Sequence, residues 1–259
     1  MKQGVFMQKI SRLNMSFISI GGGIVLITIL SFLLPIISLK SSEIILDRYS
    51  TIFLYPFTIQ NFMIILFAIG LGELFLRWKE SYSEYLYTIK QYLPEDERTL
   101  LQSHDLGPIR QKVLSDIKES GAFLPNMINR CILQFQVNQS VSETNNLLTS
   151  MSEIYSHQID LKYHILRYIS WAIPTVGFIG TVVGIAYALG DINPSDPELL
   201  ISVTTKLSVA FNTTLLALIL SAILVFCIHW IQEKEETCLN KAMEYCLNNF
   251  INRLYTSKK

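Results

Sequence analysis

Four stretches of the chain run without a single Asp, Glu, Lys or Arg: between Arg12 and Lys40, between Arg48 and Glu73, between Arg167 and Asp191, and between Lys206 and Glu233. Each reaches the ~20 residues that a helix needs to cross a hydrocarbon core of ~30 Å. The pattern predicts an all-α, polytopic helical membrane protein with four transmembrane helices and cytoplasmic helical extensions. The expected first pair spans about 13–39 and 49–76, within an N-terminal segment of residues 1–78. The second pair falls within 164–231.

Between the pairs lies a polar region, 79–163. In it "LPEDER" places Pro94 before acids, a helix-start signal, and "LGPIRQKVLSDIKESG" predicts a short helix between Gly107 and Gly121. From about Pro125 no proline or glycine interrupts the chain until Pro174. Val141, Leu148 and Tyr155 recur at seven, as do Leu147, Ile154 and Leu161. This predicts one long cytoplasmic helix running into the third span. The end of the chain, 232–259, reads as a further cytoplasmic helix with Cys238, Ala242, Tyr245 and Cys246 on one side. The two long helices are expected to pack antiparallel.

Composition agrees with the membrane reading. Half of the residues are hydrophobic and 16% are charged, against about 25% in an average soluble domain. Lys2, Lys9 and Arg12 resemble the basic start of a signal peptide, but the apolar run exceeds a ~7–15 residue h-region and no A-x-A-like site follows. A retained anchor is expected. The formal net charge of zero hides a sidedness. With the N-terminus inside, Lys2, Lys9, Arg12, Arg77 through Lys162, Lys234, Lys241, Arg253, Lys258 and Lys259 are cytoplasmic, and only Lys40, Arg48 and Lys206 lie outside with the acidic loop "DINPSDPE". Both termini are then cytoplasmic.

The third span, "IPTVGFIGTVVGIAYALG", carries three glycines, each costing roughly 1 kcal/mol relative to alanine in a helix. At helical spacing Gly177, Thr181, Gly184 and Ala188 share one narrow face with Pro174 at its edge, while Phe178, Val182, Ile185 and Leu189 share another. The fourth span repeats the spacing with Ala210, Thr214, Ala217 and Ser221. Small faces permit close helix approach. Thr181 and Thr214 both stand about ten residues from the outer ends of their helices, ~15 Å deep and so at one level. Two readings stay open on geometry: the stripes serve packing, with hydroxyls bonded back to their own carbonyls, or the two hydroxyls form one site. No Asp, Glu, Lys or Arg lies within either span, so a proton carrier has to come from another chain.

"AIPTVGFIGTVVGIAYAL" followed by "LSVAFNTTLLALILSAI" resembles the paired transmembrane signatures of the MotA/TolQ/ExbB proton-channel family, over about residues 164–231. Four spans match the MotA-like arrangement. The resemblance implies a homo-pentamer around a single-span ExbD/MotB/TolR-like partner whose membrane aspartate carries the ion, in a bacterial inner membrane. It places Thr181 and Thr214 in the ion pathway, with Pro174, Gly177, Gly184, Ala188, Ala210, Thr213, Ala217 and Ser221 lining the pore. Small stripes would leave room for the central helix. Ala217 stands where a glycine is common in the family, and Val209 where ExbB-like subunits carry a glutamate.

The remaining candidates carry less. Glu73 and Arg77, beside Trp78 and Lys79, read as an interfacial i, i+4 pair. His157, His164 and His229 have no partner at metal-ligand spacing. Cys131, Cys227, Cys238 and Cys246 fall inside and are expected to be reduced, small apolar side chains. There is no Walker loop, dinucleotide fingerprint or nucleophile elbow. The expectation is a non-enzyme without cofactor, moving a proton or sodium ion, with membrane lipid and no nucleic acid among its partners. Two functions remain: an ion-driven motor subunit, or a non-conducting scaffold of the same fold that holds a partner helix.

Overall fold

The computed structural model describes residues 12–47, 54–96, 98–120, 122–190 and 199–255. The loop "DINPSDPE", the basic residues Lys2, Lys9, Arg48, Lys258 and Lys259, and the start of the expected second span lie outside the described residues. The described residues form helices α1 (Arg12–Ile37), α2 (Leu39–Leu46), α3 (Ile59–Thr88), α4 (Leu106–Ser120), α5 (Phe123–Asn138), α6 (Val141–Lys162), α7 (His164–Gly190) and α8 (Leu199–Asn249), closed by a 3-10 turn, Ile251–Arg253. Among them there is no strand, only an isolated bridge between Leu101 and Leu254. Four helices are long and apolar enough to cross a membrane. The protein is an all-α, multi-pass membrane protein.

Helix α3 starts where Thr58 takes the cap position. Its Oγ1 accepts the Asn61 N–H at 3.2 Å and donates to the Leu46 carbonyl at 3.1 Å. At 30 residues α3 is ~45 Å long, and at 51 residues α8 is ~77 Å, both beyond a ~30 Å core. Their charged ends therefore leave the membrane: in α3 the charge-free run stops before Glu73, and in α8 before Glu233.

The chain divides into two compact units, 1–75 with 165–228, and 76–164 with 229–259. In the first, Ile27, Leu34, Leu46 and Ile64 form a core against which Leu30, Ile45, Tyr55, Ile65 and Leu220 pack. Its outward face is apolar as well: Phe32, Ile36, Phe62, Phe178, Phe211 and Phe226 are exposed. Water would penalise such a surface, whereas lipid or a neighbouring subunit accepts it.

In the second unit α5 buries Phe123, Met127, Cys131 and Phe135 along one face, and the Phe123 and Tyr155 rings meet at 5.0 Å. The tail of α8 buries Cys238, Ala242 and Cys246, the face expected from the sequence. Lys162, at the end of α6, reaches Glu235 at 3.3 Å, while α6 also touches Ile251–Arg253. Glu235 and Ile251 are ~24 Å apart along a helix, so α6 and the α8 tail run antiparallel, as expected.

Two local expectations fail. The single helix from Pro125 to Pro174 is broken at Gln139 and again at Tyr163. Gln139 takes a left-handed conformation, φ 47°, and its N–H bonds the Phe135 carbonyl. Ser140 then caps α6, accepting the Glu143 N–H. This is the S-x-x-E capping pattern, which an uninterrupted apolar periodicity conceals. In the Val141/Leu148/Tyr155 row Leu148 is buried and the other two are half-buried, whereas in the other row Leu147 is half-buried and Ile154 and Leu161 are exposed. "LPEDER" does not start a helix either. Its carbonyls are claimed from elsewhere: Arg253 donates to Pro94 O at 2.7 Å, Asp96 O at 2.5 Å and Glu95 O at 3.0 Å.

Candidate functional site

Helix α7 can hold Pro174 because α8 repairs the damage. Proline has no N–H to give the carbonyl one turn back, here that of Ser170. Ser221 Oγ donates to that carbonyl at 2.9 Å. Inside a membrane an unsatisfied carbonyl is costly, so Pro174 and Ser221 act as one device across the two helices.

The glycines of α7 serve close approach. A Cβ on Gly177 would lie 2.3 Å from the Ala217 Cβ, one on Gly180 2.8 Å from Thr213 Oγ1, and one on Gly184 2.7 Å from the Ala210 Cβ. Three glycines thus face Ala217, Thr213 and Ala210 in register. The small stripes close on each other within one chain. Gly177, Gly184, Ala188, Ala210, Thr213 and Ala217 are all buried. Within the chain this side of α7 is packed against α8. Pro174, Thr181, Thr214 and Ser221 keep partial exposure.

Thr181 and Thr214 are brought together. Their Oγ1 atoms are hydrogen-bonded to one another. Thr181 Oγ1 also lies 3.1 Å from Ala210 O and 3.3 Å from Gly177 O, and Thr214 Oγ1 3.3 Å from Gly177 O. Buried Thr213 donates to Ala210 O at 2.7 Å or Gly177 O at 3.2 Å. Each threonine has one proton to donate and two lone pairs to offer. The protons are absorbed by the partner hydroxyl and these carbonyls, so the half-exposed pair has only acceptor capacity left. Such a spot suits a cation, a water, or a protonated carboxyl.

A second cluster, absent from the sequence reading, lies in the other unit, beyond the charge-free runs. Arg77, almost fully buried, pairs with Glu80 at 2.8 Å. Lys162 lies 3.3 Å from both Glu80 and Glu235, and Tyr163 Oη donates to Glu235 at 3.0 Å. Glu84 accepts the Phe123 N–H at 2.9 Å. It caps α5 from another helix, because Ala122 at the cap position has no acceptor. Burial pushes the Glu84 carboxyl up to about 7, opposed by the Phe123 hydrogen bond and Lys162 and aided by the charges of Glu235 and Glu80. The acids and bases were visible in the sequence, but nothing in their spacing joined residues 77–84 to 162 and 235.

His164 faces Asp160 at 3.7 Å, a partner that sequence spacing overlooked. Among the described residues no three His, Cys, Asp or Glu side chains are grouped to hold a metal. Cys131, Cys238 and Cys246 are buried, Cys227 half-buried, and all four are free thiols. Burial raises the Cys131 thiol to about 12.

Residues 118–244, which contain α7, both threonines and most of α8, match the model of the MotA/TolQ/ExbB proton channel family, and over this segment the chain is similar to that family. No curated protein and no solved structure matches it. The match implies a membrane function of the proton-channel type.

Proposed function

We propose that this protein is the ion-channel subunit of a membrane motor driven by an ion-motive force. Five copies surround the membrane helices of a single-span ExbD/MotB/TolR-like partner, and proton or sodium flow along the partner's aspartate is converted into mechanical work. The assembly sits in a bacterial inner membrane with both termini of this chain in the cytoplasm. The chain moves an ion and is not an enzyme. The organisation follows the division 1–78, 79–163, 164–231 and 232–259, with the third segment forming the pathway.

The observation that carries this reading is the Thr181–Thr214 pair, two hydroxyls in contact at the half-exposed edge of the α7–α8 seam. Its spare lone pairs can accept from a protonated carboxyl or share in stripping water from an ion. Neither helix has an Asp, Glu, Lys or Arg in its charge-free run, and on this reading the carboxylate that carries the ion belongs to the partner. The other small residues hold α7 and α8 together and aim the pair.

The scaffold reading retains one supporting observation: the threonine hydroxyls already have partners in their own chain. Ion flux separates the two. Thr181→Val and Thr214→Val keep side-chain shape and remove the hydroxyl. In vesicles carrying the chain with its partner, each variant is expected to preserve the pentameric mass and abolish flux, with Thr→Ser milder. Normal flux in the double valine variant would leave the threonines as packing residues and favour the scaffold.

A further inference from the structure

Where α3 and α8 leave their charge-free runs, they enclose a groove of about 230 Å³ whose walls include Trp78, Tyr82 and Tyr85 from α3 and Trp230, Lys234 and Lys241 from α8. Both tryptophans are half exposed, at 50% and 52%. Trp230 lies three residues before Glu233, where the charge-free run of α8 ends, and Lys234 follows at once. This is the order of groups found at a membrane–water boundary, with aromatic rings at headgroup level and a basic residue just beyond. The lining has two lysines and no carboxylate. Among the described residues neither lysine makes an ion pair. Glu244 lines the next depression along α8 rather than this one.

We propose that this groove binds the headgroup of an anionic phospholipid from the adjoining leaflet. Lys234 meets the phosphate, Trp78 and Trp230 flank the glycerol, and Lys241, ~10 Å further along α8, extends the positive field. A zwitterionic lipid lacks the net charge that the two lysines complement, and a basic pocket between helices at the membrane surface selects acidic headgroups. A second copy of the chain would bring the same two positive charges to the contact. The proposal rests only on α3 and α8 crossing the membrane and stands apart from the ion-pathway reading.

Native mass spectrometry of the full chain in mild detergent, titrated with phosphatidylglycerol or phosphatidylcholine, provides the test. The natural chain is expected to retain phosphatidylglycerol and shed phosphatidylcholine. Lys234→Gln with Lys241→Gln is expected to weaken phosphatidylglycerol retention about 30-fold, the effect of two basic residues near an anionic surface. Lys234→Arg with Lys241→Arg should retain it, and so should Lys112→Gln on α4. Equal retention of both lipids, or unchanged retention in the double glutamine variant, overturns the proposal. Inorganic phosphate alone quenching tryptophan fluorescence with the same lysine dependence also overturns it, in favour of a soluble anion. So does a Tyr82→Cys crosslink between copies that forms in full without displacing lipid, which would make the groove a protein contact.

Discussion

Replacing Gly177 with alanine tests the α7–α8 seam most directly, because two physical effects predict opposite signs. Helix propensity alone says that Gly177→Ala stabilises by about 1 kcal/mol. The seam says otherwise. The new Cβ would stand 2.3 Å from the Ala217 Cβ and 3.2 Å from the Thr213 carbonyl oxygen, whereas carbon atoms rest about 3.5–4.0 Å apart. The helices must part by more than ~1 Å, an overpacking cost of roughly 1–3 kcal/mol. Parting also stretches the contacts from Thr213 and Thr214 to Gly177 O, now at 3.2 and 3.3 Å, each worth about 1 kcal/mol. The net expectation is a loss of about 2–4 kcal/mol, read as a lowered thermal midpoint of tryptophan fluorescence in detergent. Adding Ala217→Gly moves the methyl from one helix to the other and should restore most of the loss, a coupling measured by the double-mutant cycle. Gly22→Ala is the control, since a Cβ there meets nothing within 4 Å. A Gly177→Ala protein as stable as the natural one, or no rescue by Ala217→Gly, refutes the seam.

Ser221→Ala leaves the Ser170 carbonyl without its donor and is expected to cost about 1–3 kcal/mol; with Pro174→Ala restoring the N–H, the same change should become nearly neutral in the same assay. Glu84, raised to about 7 when folded, holds a proton between its unfolded pKa and pH 7 that the unfolded chain has released, so it makes stability fall as pH rises through that window. Glu84→Gln keeps an acceptor for the Phe123 N–H and should flatten this stretch of the pH–stability profile; an unchanged slope would place the titration elsewhere. Arg253→Ala strips the donors from the carbonyls of Pro94, Glu95 and Asp96, and hydrogen exchange across residues 92–98 should rise at least tenfold, while unchanged exchange would mean the segment holds itself.

The four spans were legible because charge is expensive in lipid, and the absence of Asp, Glu, Lys and Arg over twenty or more residues needs no tertiary information. The pairing of Thr181 with Thr214 was legible for a related reason. Two helices joined by a short loop fix depth by counting, and the small faces fix azimuth. What a small face packs against is another matter. The stripe of Gly177, Gly184 and Ala188 is equally suited to a partner's helix and to α8, and only the coordinates show Ala210, Thr213 and Ala217 already there. The break at Gln139 was missed because a non-glycine residue adopts positive φ, though Ser140 and Glu143 carried the capping signal. "LPEDER" misled because its helix-start chemistry is local, while the competitor for its carbonyls, Arg253, is more than 150 residues away.

Helix α8 contains neither glycine nor proline and runs unbroken from Leu199 to Asn249, so Ala210 and Ala217, which face Gly184 and Gly177, are mounted on one shaft. A residue inserted or deleted between them would swing one about 100° around the axis relative to the other and shift it ~1.5 Å along it. Ala210 would then leave Gly184 while Ala217 stayed on Gly177, so this stretch of α8 has a fixed length even where other small side chains could replace its own.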